Sequence, residues 1–93
     1  MLDGRFKALA DPTRRRIIEL LVTGPRTVLD IADEFSISRP AISQHLRTLT
    51  LSGFLTVEPY GIRRLYYLNR EALRAPAGWL KMQMERSELE EET

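Results

Sequence analysis

The sequence predicts a mainly α-helical domain carrying one small β-hairpin, and three observations predict it. Apolar residues recur at helical spacing through residue 52, the period shifts to two over residues 55–68, and helical spacing returns after Asn69. At 93 residues, with 43% hydrophobic and 29% charged residues, the chain reads as one domain, residues 1–93.

Each element has its own signal. Leu2, Phe6 and Leu9 mark a short amphipathic helix over residues 2–10. Asp11-Pro12 then opens a second helix, because Asp caps well and Pro fits the first helical position. Ile17, Ile18, Leu20 and Leu21 give it a buried face, and Gly24-Pro25 ends it. Residues 27–35 read as a third, short helix with Val28, Ile31, Ala32 and Phe35 on one side. Ser36-Ile37-Ser38 connects it to a fourth, which Ser38 caps and Arg39-Pro40 begin. Ile42, Leu46 and Leu49 form that helix's inner face, and Gly53 closes it. Leu55–Glu58 and Arg64–Leu68 alternate as strands around a loop at Pro59-Tyr60-Gly61-Ile62. Pro76 is expected to confine the last helix to residues 77–91. A two-stranded hairpin must pack on the helices to be stable. The order is that of a winged helix-turn-helix.

Composition removes several function classes. Cysteine is absent, which excludes thiolate metal sites, redox switches and cysteine catalysis, and fits a reducing, cytoplasmic setting. No apolar run approaches the roughly 18 residues of a membrane span, and no h-region follows Met1-Leu2-Asp3-Gly4-Arg5. The expectation is a soluble cytoplasmic protein with no membrane partner. The net charge of +1 conceals an asymmetry. Residues 1–70 carry 11 Lys/Arg against 7 Asp/Glu, and residues 71–93 carry 3 against 6. Such a division accompanies polyanion binding, though a solvated acidic helix end also produces it.

The fourth helix carries the chemistry. At 100° per residue, Pro40, Ser43, Gln44, Arg47 and Thr48 point away from its inner face, and Arg39 joins them at the N-terminus. No acidic residue lies between Arg39 and Gly53, whereas a merely solvated face of this length mixes both signs. Arg pairs bidentately with guanine, Gln with adenine, and Ser with base or phosphate. The helix N-terminus itself attracts phosphate. Arg63 and Arg64, beside Tyr60 and Gly61, can reach backbone or minor groove; charge that keeps an edge strand soluble is the alternative. Arg14, Arg15 and Arg16 point in three directions, so they are expected to cover core and bond helix ends or acidic side chains. His45, at the border of the core face, is expected to pack and bond backbone or phosphate, not metal.

Phe6-Lys7-Ala8-Leu9-Ala10-Asp11-Pro12-Thr13-Arg14-Arg15-Arg16-Ile17-Ile18 resembles the opening signature of the ArsR family of bacterial repressors. Ser38-Arg39-Pro40-Ala41-Ile42-Ser43-Gln44-His45-Leu46-Arg47-Thr48-Leu49 is similar to that family's recognition helix. The resemblance covers about residues 5–70. It implies a winged-helix homodimer that represses transcription at an inverted-repeat operator, with Arg39, Pro40, Ser43 and Gln44 matching base- and phosphate-contacting positions.

One branch of the resemblance does not carry over. Many members sense metals through a Cys motif in the third helix and Asp, His and Glu ligands in the last. Here the first stretch is Thr27-Val28-Leu29-Asp30, and from Trp79 onward the only such residues are Glu85, Glu88, Glu90, Glu91 and Glu92. Exposed carboxylates alone suit zinc poorly, so no metal and no cofactor is expected. Leu2, Phe6 and Leu9, with Trp79, Met82 and Leu89, are expected to form the dimer interface, against the alternative that they complete the monomer core. A small-molecule effector of unidentified chemistry, bound at the dimer interface near Trp79, and control by protein abundance alone are both open readings.

The combined expectation is a non-enzymatic, double-stranded-DNA-binding repressor whose DNA contacts are Ser38, Arg39, Pro40, Ser43, Gln44, Arg47, Arg63 and Arg64. A winged helix used for protein–protein interaction is the competing reading. No nucleophile–base pair, phosphate loop or paired carboxylate supports an enzyme.

Overall fold

The computed structural model describes residues 2–92; Met1 and Thr93 lie outside the described residues. Helix α1 (Leu2–Leu9) leads into α2 (Pro12–Val22), strand β1 (Arg26–Thr27), α3 (Val28–Ala32) and α4 (Arg39–Leu51). Strands β2 (Leu55–Tyr60) and β3 (Arg63–Leu68) follow, then a 3-10 turn at Arg70–Leu73 and α5 (Arg74–Glu92).

Local chemistry explains the boundaries. Asp11, in extended conformation, accepts the Arg14 N–H at 3.1 Å and starts α2 with Pro12 in the first turn. Ser38 does the same for α4, its Oγ accepting the Ala41 N–H at 3.3 Å. The far end of α4 closes by a Schellman pattern. Gly53 donates to the Thr50 carbonyl at 3.1 Å and Phe54 to the Leu49 carbonyl at 2.9 Å. Gly53 there takes φ 89°, a left-handed conformation that glycine adopts without strain.

The core gathers Ile17 and Leu21 of α2, Ile31 of α3, and Ile42, Leu46 and Leu49 of α4 around Phe54 and Leu55. This apolar burial anchors α3 and α4 to the sheet. Strands β2 and β3 pair antiparallel along their whole length. Leu55, Val57 and Pro59 pair with Leu68, Tyr66 and Arg64 on one face, and that face turns towards α4 and the core.

Four boundaries differ from those the sequence predicts. The sheet has three strands, in the order β1-β3-β2, because Arg26 and Thr27 pair with Tyr66 and Leu65. Two residues are too few to display a period. The third helix spans only Val28–Ala32, not 27–35: Thr27 is its cap, accepting the Asp30 N–H at 3.2 Å. Phe35 keeps the helical phase by packing on the core from the following turn. The hairpin strands run to Tyr60 and from Arg63, leaving Gly61-Ile62 as a two-residue turn with Gly61 at φ 61°. Finally, α5 begins at Arg74, not after Pro76. The proline lies in the first turn, where its missing N–H has no partner to lose.

Candidate nucleic-acid interface

Burying Ile42, Leu46 and Leu49 leaves Arg39, Pro40, Ser43, Gln44, Arg47 and Thr48 exposed on the opposite side of α4. Ser38 is exposed too, with its hydroxyl committed to the cap. The hairpin stands beside this face. A cleft of about 280 Å³ is bounded by Thr27, Val28 and Leu29 at the start of α3, by Arg39, and by Ile62, Arg63 and Arg64 of the hairpin. A second cleft brings Ser43 and Arg47 together with Thr50, Leu51, Val57, Arg64 and Tyr66. Arg64 therefore lines both clefts, beside Arg39 in one and beside Ser43 and Arg47 in the other. Gln44 and Pro40 line neither cleft and project from the neighbouring stripe of α4.

Electrostatics separates these arginines from the Arg14–Arg16 triplet. Among the described residues, Arg39, Arg47, Arg63 and Arg64 have no carboxylate partner and no side-chain hydrogen bond. By contrast Arg14 donates to the Ala8 and Lys7 carbonyls at 2.6 and 3.3 Å, and Arg15 to the Leu9 carbonyl at 2.8 Å. Arg16 reaches Glu19 and Glu34. The triplet thus closes the end of α1 and pairs with acids, as the sequence predicts. Arg14 Nη1 also lies 3.3 Å from His45 Nδ1, so His45 is half-buried against a side chain, not bonded to backbone. The Arg14 N–H holds the Asp11 carboxyl below its ordinary value, against the opposing effect of burial.

Sequence reasoning missed the start of α3 as part of this surface. Its signal was present: Thr27-Val28-Leu29-Asp30 carries a cap that starts the helix at Val28, next to Arg39. Leu51, 74% exposed beside Ser43 and Arg47, had no sequence signal.

The terminal helices pack on each other. Phe6 and Trp79 meet edge to face, with centroids 5.6 Å apart and planes at 74°. Leu2 and Leu9 are half-buried, Leu9 against the core. Trp79, Met82 and Leu89 stay exposed, as do Leu80 and Met84, so the apolar surface of α5 is broader than one stripe. Among the described residues no three His, Asp or Glu cluster as metal ligands, and no helix is long and apolar enough to cross a membrane. The chain has no cysteine, and the lone His45 faces a guanidinium.

Residues 9–58 match the family described as helix-turn-helix domain. The transcriptional repressor SdpR of Bacillus subtilis is 41% identical over 79 residues, covering 85% of this chain and 88% of that protein. A crystal structure of an ArsR family transcriptional regulator, RHA00566, superposes with a TM-score of 0.86 at 37% identity, covering 94% of this chain and 96% of the other. The homodimeric winged helix-turn-helix DNA-binding domain of Mb0332 from Mycobacterium bovis, a possible ArsR-family regulator solved in solution, gives 0.72 at 27% identity, over 89% of this chain and 78% of that one.

Proposed function

Because this chain belongs to the ArsR family of winged helix-turn-helix transcriptional regulators, we propose that it represses transcription as a homodimer bound to an inverted-repeat operator. It is a DNA-binding regulator by family, and the carrying observation for how it binds is the set of guanidiniums around α4 and the hairpin that have no carboxylate partner among the described residues. Arg39, Ser43 and Gln44 read base edges in the major groove. Arg47, Arg63 and Arg64 hold phosphates on either side, and Ser38 and Pro40 fix the start of the helix that they flank.

The two-fold partner docks through α1 and α5. Leu2, Phe6, Leu9, Trp79, Met82 and Leu89 supply the apolar contact, and the paired recognition helices stand about 34 Å apart, one turn of duplex. Repression follows from occupancy of the operator in the cytoplasm. No metal relieves it and no catalysis accompanies it; control is by a small-molecule effector or by protein abundance.

Titration of the protein against its own promoter duplex and a scrambled duplex, at two salt concentrations, tests this reading. The expected result is tight promoter binding that falls steeply with salt, and a far weaker complex with the scramble. No binding to either duplex at low salt would overturn it in favour of a protein-interaction module.

A further inference from the structure

We propose that Arg14 and His45 form a positioning pair that fixes the rotation of α4 relative to α1, and so sets operator affinity without touching DNA. The inference rests on the DNA-reading role of α4. Arg14 leaves the first turn of α2 and reaches two other helices. Nε and Nη2 take the Ala8 and Lys7 carbonyls that end α1, and Nη1 meets His45 Nδ1 on α4 at 3.3 Å. The backbone of Arg14 is itself held by Asp11 at 3.1 Å. A guanidinium has donors only, so a hydrogen bond between the two requires the imidazole tautomer that accepts at Nδ1 and holds its proton on Nε2.

Apolar burial and a hydrogen bond constrain a helix differently. Ile42, Leu46 and Leu49 hold α4 against the core, but burial is non-directional. His45 sits where the core face gives way to the reading face and is the side chain of α4 that bonds α2. Binding constellations tolerate about 10–20° of misorientation, which a directional contact to a planar, doubly anchored fork can enforce. Since α1 also meets α5 through Phe6 and Trp79, one chain of contacts runs from the terminal helices to the groove-reading helix.

The test compares Arg14→Met, His45→Leu, their combination, and His45→Gln, each titrated with promoter and scrambled duplexes at two salt concentrations. Each of the first two is expected to weaken promoter binding about tenfold, and the combination no further. His45→Gln, which keeps an acceptor, recovers most of the affinity. The salt dependence stays that of the unmodified protein. Additive losses would overturn the pair, and a salt slope lower by about one in Arg14→Met would make Arg14 a phosphate contact instead. Should Arg14→Met fail to fold, the His45→Leu and His45→Gln contrast decides, with failure of Gln to rescue counting against the proposal. Ring 15N spectra at pH 8 supply a readout without DNA. They should show the Nε2–H tautomer, shifting to a mixture in Arg14→Met; an unchanged spectrum would sink the pair. Absence of promoter preference in the unmodified protein would instead overturn the operator reading, and with it the affinity role, while the spectrum still reports on the pair.

Discussion

In α4, Ile42, Leu46 and Leu49 are at most 1% exposed, whereas in α5 Trp79, Met82 and Leu89 are 46%, 56% and 64% exposed. Both helices carry apolar residues at helical spacing; α4 buries its stripe within the chain, whereas α5 does so only in part, where Trp79 meets Phe6. The inner face of α4 is complete, so its outer face is free for a polar ligand without loss of stability. The apolar face of α5 stays largely exposed in the single chain, a surface on which the proposed two-fold partner would dock. Spacing identifies an apolar face; only packing tells whether its partner is in the same chain.

The comparison breaks most visibly at the buried side. Leu46→Ala should cost about 2–5 kcal/mol in chemical denaturation, because the cavity opens between α4 and the sheet. A loss well under 1 kcal/mol would mean that α4 is not anchored by this face. On the exposed side, Trp79→Ala should leave helix content nearly unchanged in circular dichroism but shift the dimer–monomer balance by about 2 kcal/mol, roughly 30-fold, in sedimentation equilibrium. Unfolding in place of dissociation would assign Trp79 to the monomer core. Gln44→Ala probes the free face of α4. Competition titrations with single-base operator variants should show specificity relaxed at one position, at a cost of about 1–3 kcal/mol; uniform weakening would make Gln44 a positioning contact.

A smaller effect lies at the start of α2. Asp11→Ala removes the cap and should cost about 1 kcal/mol in thermal or chemical unfolding near neutral pH. Because the folded carboxyl is held below its ordinary value, its contribution is fully present above the unfolded pKa of about 3.9 and is lost as the pH falls through the folded value. The stability gap between the variant and the unmodified protein should therefore narrow in acid below about pH 4.

The parts legible in the sequence were those fixed by local chemistry. Asp11-Pro12, Ser38 and Gly53 mark helix ends by what their own atoms accept or by the conformation they allow, and α4 declares its two faces by spacing alone. What escaped was set by tertiary context. Arg26 and Thr27 become a strand only because Tyr66 and Leu65 lie alongside. Phe35 continues a helical pattern from outside the helix, since the core reaches it there. Pro76 resembles a boundary unless the helix starts two residues earlier. The arginines shared one charge and divided by partner: Arg14 and Arg15 found carbonyls, and Arg39 and Arg64 found none among the described residues. The spacing of Arg14–Arg16 foretold their engagement; that Arg64 would line both clefts could be known only from the hairpin's lean against α4.

The Gly61-Ile62 turn acts as a ruler. By joining Tyr60 directly to Arg63, it assigns Arg64, Tyr66 and Leu68 to the inward side of the sheet. A single inserted residue that slid the pairing by one step would turn Arg64 outward and withdraw Tyr66 from the core. The hairpin can therefore exchange side chains freely at its tip but can grow or shrink only by pairs of residues, one on each strand, so its reach changes in increments of about 3.4 Å.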